Sequence, residues 1–211
     1  MQRIPDFTAW ITHLRAVAAE TLTQQDARSL YATLLSAPPA PSTRVRDIRL
    51  PLLAHLLDQH PPIPESAWSK TDDVALWWSL SAEPAGCPDV WSSILAQPAG
   101  PLLARDDFLA IEVWTESELA ALHALWRLSH RLGEAAARLA TAIAWHLEHT
   151  QPDNATNHPW ALGAFLSHAT PESVHFAGTL LSNCRVTGVK PDALSALILL
   201  DSPRGLEQSP A

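Results

Sequence analysis

Residues 115–150 read TESELAALHALWRLSHRLGEAAARLATAIAWHLEHT, and this stretch decides the fold. Leu119, Leu122, Trp126 and Ser129 recur at helical spacing along one face. Thr115-Glu116-Ser117-Glu118 has the form of a capping box, in which the threonine oxygen accepts from the third amide and the glutamate reaches back to the threonine amide. Gly133 stands where a left-handed residue would end that helix. Beyond it Leu139, Ile143 and Leu147 fall at intervals of four, with Ala136 and Ala140 beside them to let a neighbour approach. A turn this short returns the chain antiparallel, so the spacing predicts a helical hairpin over 116–132 and 134–150.

The same periodicity extends outward in both directions, and alternating β-branched runs are absent, so the class is all-α. Thr8 is placed to cap a helix to about Leu22, and Thr23 with Asp26 to cap a second ending near Ala37, the two forming a hairpin. The prolines at 38, 39 and 41 and at 61, 62 and 64 interrupt the pattern. Between them Pro51 opens a helix carrying Leu52, Leu53, Leu56 and Leu57. Thr71 is the expected cap of a helix through Trp77 and Trp78, a shorter one covers Val90 to Ala96, and Leu102 to Val113 is expected to be helical. Asn157 with Pro159 opens a helix containing Trp160, Thr170-Pro171-Glu172 opens the next, and Gly188 precedes a last one over Asp192 to Leu200. The expectation is about nine or ten helices in antiparallel hairpins, arranged as an irregular α-solenoid or a multi-helix bundle. Residues 1–200 form a single domain, an internal break would fall at 98–101, and 201–211 form a flexible C-terminal tail.

Composition narrows the functional classes. With 22 acidic against 14 basic residues the chain has a net charge of −8, so no broad positive field is available to displace counterions from a nucleic acid. Arg44, Arg46 and Arg49 are interrupted by Asp47 and read as a solvated face. Cys87 and Cys184 lie far apart with no metal or disulfide spacing, no apolar run is long enough for a bilayer, and the N-terminus lacks a signal pattern. The expectation is a cytoplasmic protein with no cofactor and no membrane or nucleic-acid partner.

Trp91, Trp126 and Trp160 are spaced by thirty-five and thirty-four residues, and Trp126-Arg127-Leu128-Ser129 is similar to Trp160-Ala161-Leu162-Gly163. With Gly133 near a turn, Ala137 at a small packing position and Pro152-Asp153-Asn154-Ala155 before Trp160, residues 122–165 resemble a tetratricopeptide-type helical hairpin. The resemblance implies an interaction architecture and small residues where this chain has Arg138 and Trp145.

Nine tryptophans are many for 211 residues, and adjacent Trp77 and Trp78 diverge by ~100° on a helix, which places one of them at a surface or groove. Seven of the ten histidines lie between His123 and His175. His146 and His149, three apart, could ligate a metal with His158 or Asp153, but the spacing fits no metalloprotease signature, and helix-end hydrogen bonding explains them as well. The polar loop 151–160 combines groups able to bind, cap and stack: Asp153, Asn154, Asn157, His158 and Trp160. Two function classes follow. One is a non-enzymatic scaffold that holds a partner protein or a second copy of itself in an aromatic-rich groove or on a helical face. The other is a small all-α enzyme acting on a carbohydrate or other extended substrate, with Asp106, Asp107, Asp153 and His158 as acid/base groups and Trp160 as a stacking platform.

Overall fold

The structure, a computed structural model, describes residues 6–36, 47–63, 72–81, 90–105, 108–151, 157–185 and 190–208. These hold ten helices and no strand, an all-α multi-helix bundle: α1 Phe7–Ala19, α2 Gln24–Ser36, α3 Arg49–Leu56, α4 Asp73–Ser81, α5 Val90–Leu95, α6 Ile111–Ser129, α7 Gly133–His149, α8 Leu162–His168, α9 Pro171–Asn183 and α10 Ala193–Gln208. No helix among the described residues is long and apolar enough to cross a membrane.

The hairpin of α6 and α7 is present, and α6 is the axis of the bundle. Every residue from Glu118 to Leu128 is buried, because α4, α7 and α8 cover it from different sides. Its small Ala120, Ala121 and Ala124 admit neighbours closely, so the helix is enclosed rather than amphipathic. Helix α4 is likewise enclosed from Ala75 to Ser81, and both Trp77 and Trp78 are buried, which corrects the expectation that one would reach the surface.

Several local expectations change. Helix α6 begins at Ile111 behind an extended Ala110, and Thr115 is an interior residue whose Oγ1 donates to the Ile111 carbonyl at 2.8 Å. The capping box therefore does not form, because Glu118 is drawn into the core. Residues 101–105 and 108–110 are not helical. Gly133 is the first residue of α7 without a left-handed backbone, and the turn is made through His130, whose amide bonds to the Leu128 carbonyl. Asp6 caps α1 in place of Thr8, Asp72 caps α4, and Thr71 lies outside the described residues. The boxes at Thr23–Asp26 and Thr170–Ser173 form, the first through contacts at 2.6 to 3.2 Å. Asn157 caps nothing; Ala161, left-handed at φ 57°, precedes α8.

Helix α1 packs on α10, not on α2, and α2 packs on α3. Arg15 reaches Glu207 at 2.8 Å, and the Thr21 hydroxyl donates to the Pro191 carbonyl, joining the two ends of the chain. Residues 201–208 of the expected 201–211 tail are the second half of α10: Asp201, Ser202, Pro203, Gly205 and Leu206 are buried. The three evenly spaced tryptophans are not structural equivalents, since Trp91 lies in a short helix, Trp126 near the end of a long one and Trp160 in a turn.

Candidate functional site

A loop and two helix ends build a groove. Arg138 of α7 donates from Nε to the Ile94 carbonyl at 3.2 Å, and from Nη2 to the carbonyls of Gly100 and Pro101 at 2.8 and 2.9 Å. Glu118, fully buried, accepts the Leu102 and Leu103 amides at 2.6 and 2.7 Å and faces His146 Nε2 at 3.2 Å. These two side chains hold residues 94–103 from both ends of the segment by charge-assisted bonds, the strong kind in a dry setting. Trp114 adds a third tie, its indole donating to the Ala104 carbonyl at 3.3 Å.

Against this fixed loop the start of α6 and the end of α7 enclose a cavity of about 490 Å³, lined by Pro101, Arg105, Ile111, Glu112, Trp114, Thr115, Trp145, His149, Thr150 and Gln151. The Trp114 and Trp145 rings meet edge-on, 6.3 Å between centroids at 82°, and His149 stacks on Trp145 at 4.8 Å and 7°. Ile111 in this lining is 46% exposed, and Phe108, Leu109 and Val113 in the same segment are exposed as well, Val113 lying ~200° around α6 from Ile111 and so off the groove. Arg138, which holds the loop, and Trp145, which forms a wall, are thus the groups that build this groove. Sequence reasoning missed it. The signals were the helical i,i+4 pair Trp145/His149 and the apolar run Phe108 to Ile111 ahead of Trp114.

The polar loop resolves differently from the expectation. Asp153 and Asn154 lie outside the described residues, as do Asp106 and Asp107. Asn157 is exposed. His158 sits between two carboxylates, Nδ1 at 2.6 Å from Glu116 of α6 and Nε2 at 3.2 Å from Asp192 before α10. Burial opposes its charged form, but Glu116 and Asp192 outweigh that and raise its pKa. Trp160 donates to the same Glu116 oxygen at 2.8 Å and is 1% exposed, with its ring against Trp77 and His123. It cannot present a face to a sugar, which corrects its assignment as a stacking platform. Nearby Asp73 is pushed up to about 7 by burial, then by the charge of Asp72, with Glu116 adding to it.

The histidines proposed as metal ligands diverge. His146 is buried between Glu118 and the Thr150 hydroxyl, whereas His149 is exposed and bonded to the Trp145 carbonyl. Among the described residues no group of three or more His, Cys, Asp or Glu is placed to hold a metal ion.

A second polar cluster lies in the core, away from the groove. Asp201 of α10 accepts from His123 Nε2 at 3.1 Å and faces Arg127 Nε at 3.3 Å, and that same Nε donates to His55 Nε2 at 3.1 Å. Burial opposes the ionised form of Asp201, but Arg127 and the His123 bond outweigh it and hold the carboxyl well below its usual range. Burial pushes His55 down to about 3 and lowers His123 as well. The cluster is roofed by Trp77, Trp126 and Trp160, each within 6 Å of the His123 ring.

The chain matches no family model, no curated protein and no solved structure.

Proposed function

We propose that this chain is a non-enzymatic interaction protein that holds a segment of a partner protein in the groove between the start of α6 and the end of α7. The observation that carries this reading is a concave aromatic site, walled by Trp114 and Trp145, with the exposed apolar side chain of Ile111 in its lining. An exposed apolar side chain is ordinary singly, but one set in the wall of an aromatic hollow suits the docking of an apolar group. A cavity of about 490 Å³ is in the range that accepts one or two side chains or a small ligand. The walls are held by buried Glu118 and by Arg138, so little ordering cost falls on binding.

The competing enzymatic reading has less support. Its aromatic platform, Trp160, is buried, and His158 is held by Glu116 and Asp192, while Asp106, Asp107 and Asp153 lie outside the described residues.

Display of random dodecapeptides against the purified chain tests the proposal. Wild type should enrich peptides with aromatic or branched apolar residues, and the enrichment should vanish for Trp145→Ala and Ile111→Glu, both of which keep the wild-type circular dichroism. Identical enrichment on all three proteins, or none on any, overturns the proposal.

A further inference from the structure

The groove continues beyond Trp145. Thr150 and Gln151, which line its end, also line a second hollow of about 380 Å³ against α9, with Leu147, Phe176, Glu172 and His175 around it. Leu147 lies two residues past Trp145, ~200° around the helix, so the hollows flank the C-terminal end of α7 on different sides. They share one crossing point, where the chain leaves the helix with Thr150 extended at φ −119° and ψ 135°.

The two hollows differ in charge. Among the described residues, Arg105 and Glu112 in the first offset each other, while the second is lined by the carboxylate of Glu172 and by no lysine or arginine. Helix α7 ends there, and its last carbonyls add a partial negative charge. The net charge of −8 favours the approach of a cationic partner over a second copy of the same chain.

We infer that the occupant is an extended partner segment that crosses Thr150 and Gln151, placing an aromatic or branched apolar side chain against Trp145 and a lysine or arginine two residues along beside Glu172. In an extended segment alternate side chains share a face at a spacing of roughly 6.5 to 7 Å, which suits two adjoining hollows. Gln151 is exposed and hydrogen-bonds no other described residue, so its backbone groups are open to strand-like pairing. This inference rests on the groove proposed above and adds the chemistry of its ligand.

Fluorescence anisotropy with labelled heptapeptides separates the two claims. Each peptide fixes tryptophan at position three and carries lysine, arginine, alanine or glutamate at position five among serine and glycine. The lysine and arginine peptides should bind wild type about tenfold more tightly than the glutamate peptide, a difference of the size of one rim ion pair gained against one repelled. Raising salt should narrow that gap. Glu172→Lys, checked by circular dichroism, should reverse the order. Equal affinity for all four peptides, with binding still abolished by Trp145→Ala, overturns the basic-residue inference and leaves the groove standing. Binding that ignores Trp145→Ala overturns both.

Discussion

Asp201 keeps its charge at zero exposure because three groups from two other helices face it: His123 and Arg127 of α6 and, at 3.9 Å, His55 of α3. A buried pair adds little over an apolar core, but breaking one strands the partner. Asp201→Ala therefore leaves Arg127 buried without its counter-charge and should cost about 3 to 5 kcal/mol in urea unfolding. Glu207→Ala, which removes a partner of Arg15 at a site where both side chains are about half exposed, should change stability by less than about 1 kcal/mol. The same cluster fixes a pH dependence. His55 is pushed down to about 3 and His130 to about 4, chiefly by burial, and His123 is lowered too. Below their ordinary pKa the unfolded chain takes up protons that the folded imidazoles refuse, so stability falls as pH drops from about 6.5 toward 4. Asp73, raised to about 7, opposes this: its contribution is present below about 4 and is lost as pH rises through 7. Three imidazoles outweigh one carboxyl, and a urea midpoint unchanged between pH 7 and pH 4.5 would contradict that balance. Little of this was visible in the sequence, where His55 and His123 are lone polar residues in apolar runs and Asp201 opens a polar stretch, with nothing to indicate that they meet.

At the scale of elements, the approach of α8 and α10 to α6 is set by two glycines. A Cβ on Gly163 would lie 2.2 Å from Cη2 of Trp126, and one on Gly205 would lie 2.2 Å from the same atom and 2.5 Å from Arg127 Nη1. Gly163→Ala forces the ring or the helix to move and should destabilise by about 1 to 3 kcal/mol. Combining it with Trp126→Leu should give a loss smaller than the sum of the two single losses, and strict additivity would show that the ring is not what the glycine accommodates. His158 links α6 to the start of α10 through Glu116 and Asp192. Because its folded pKa is raised, the stability that it adds is fully present below about 6.5 and is lost as pH rises through the folded value. The difference in unfolding free energy between wild type and His158→Gln should therefore shrink between pH 6 and pH 9, and a constant difference would exclude a charged bridge. Helix type was legible throughout because apolar spacing survives burial on any side. Helix starts were less so: Thr115-Glu116-Ser117-Glu118 satisfies the capping pattern, yet the Leu102 and Leu103 amides offer Glu118 a buried site and the helix begins a turn earlier.

Across the whole molecule, the contacts hidden from the sequence are the long-range ones. Segments delimited by proline announce an all-α chain, but nothing local says that α1 meets α10 across some 170 residues, or that the groove takes one wall from the loop at 101–105 and another from α7. The C-terminus makes the point most sharply. Asp201-Ser202-Pro203-Arg204-Gly205 has the composition of a helix stop, because proline lacks an amide donor and glycine resists helix order. The helix runs through both residues. The Ser202 hydroxyl donates to the Ile198 carbonyl at 2.9 Å, Gly205 admits the Trp126 ring, and Arg204 caps the end of α3 by donating to the Leu56 carbonyl while pairing with Asp58. Tertiary contacts outweigh an unfavourable local preference here. Deleting 201–211 distinguishes a frayed tail from this arrangement. The shortened chain would lose the carboxylate that compensates Arg127, the cap on α3 and the buried Leu206 together, a loss comparable with the ~5 to 15 kcal/mol that stabilises a typical domain. It should accumulate unfolded or aggregated, with no cooperative thermal transition by circular dichroism. Removing 209–211 alone, beyond the end of α10, should leave the transition within a few degrees of wild type, and a stable fold ending at Leu200 would refute the placement of Asp201 at the core.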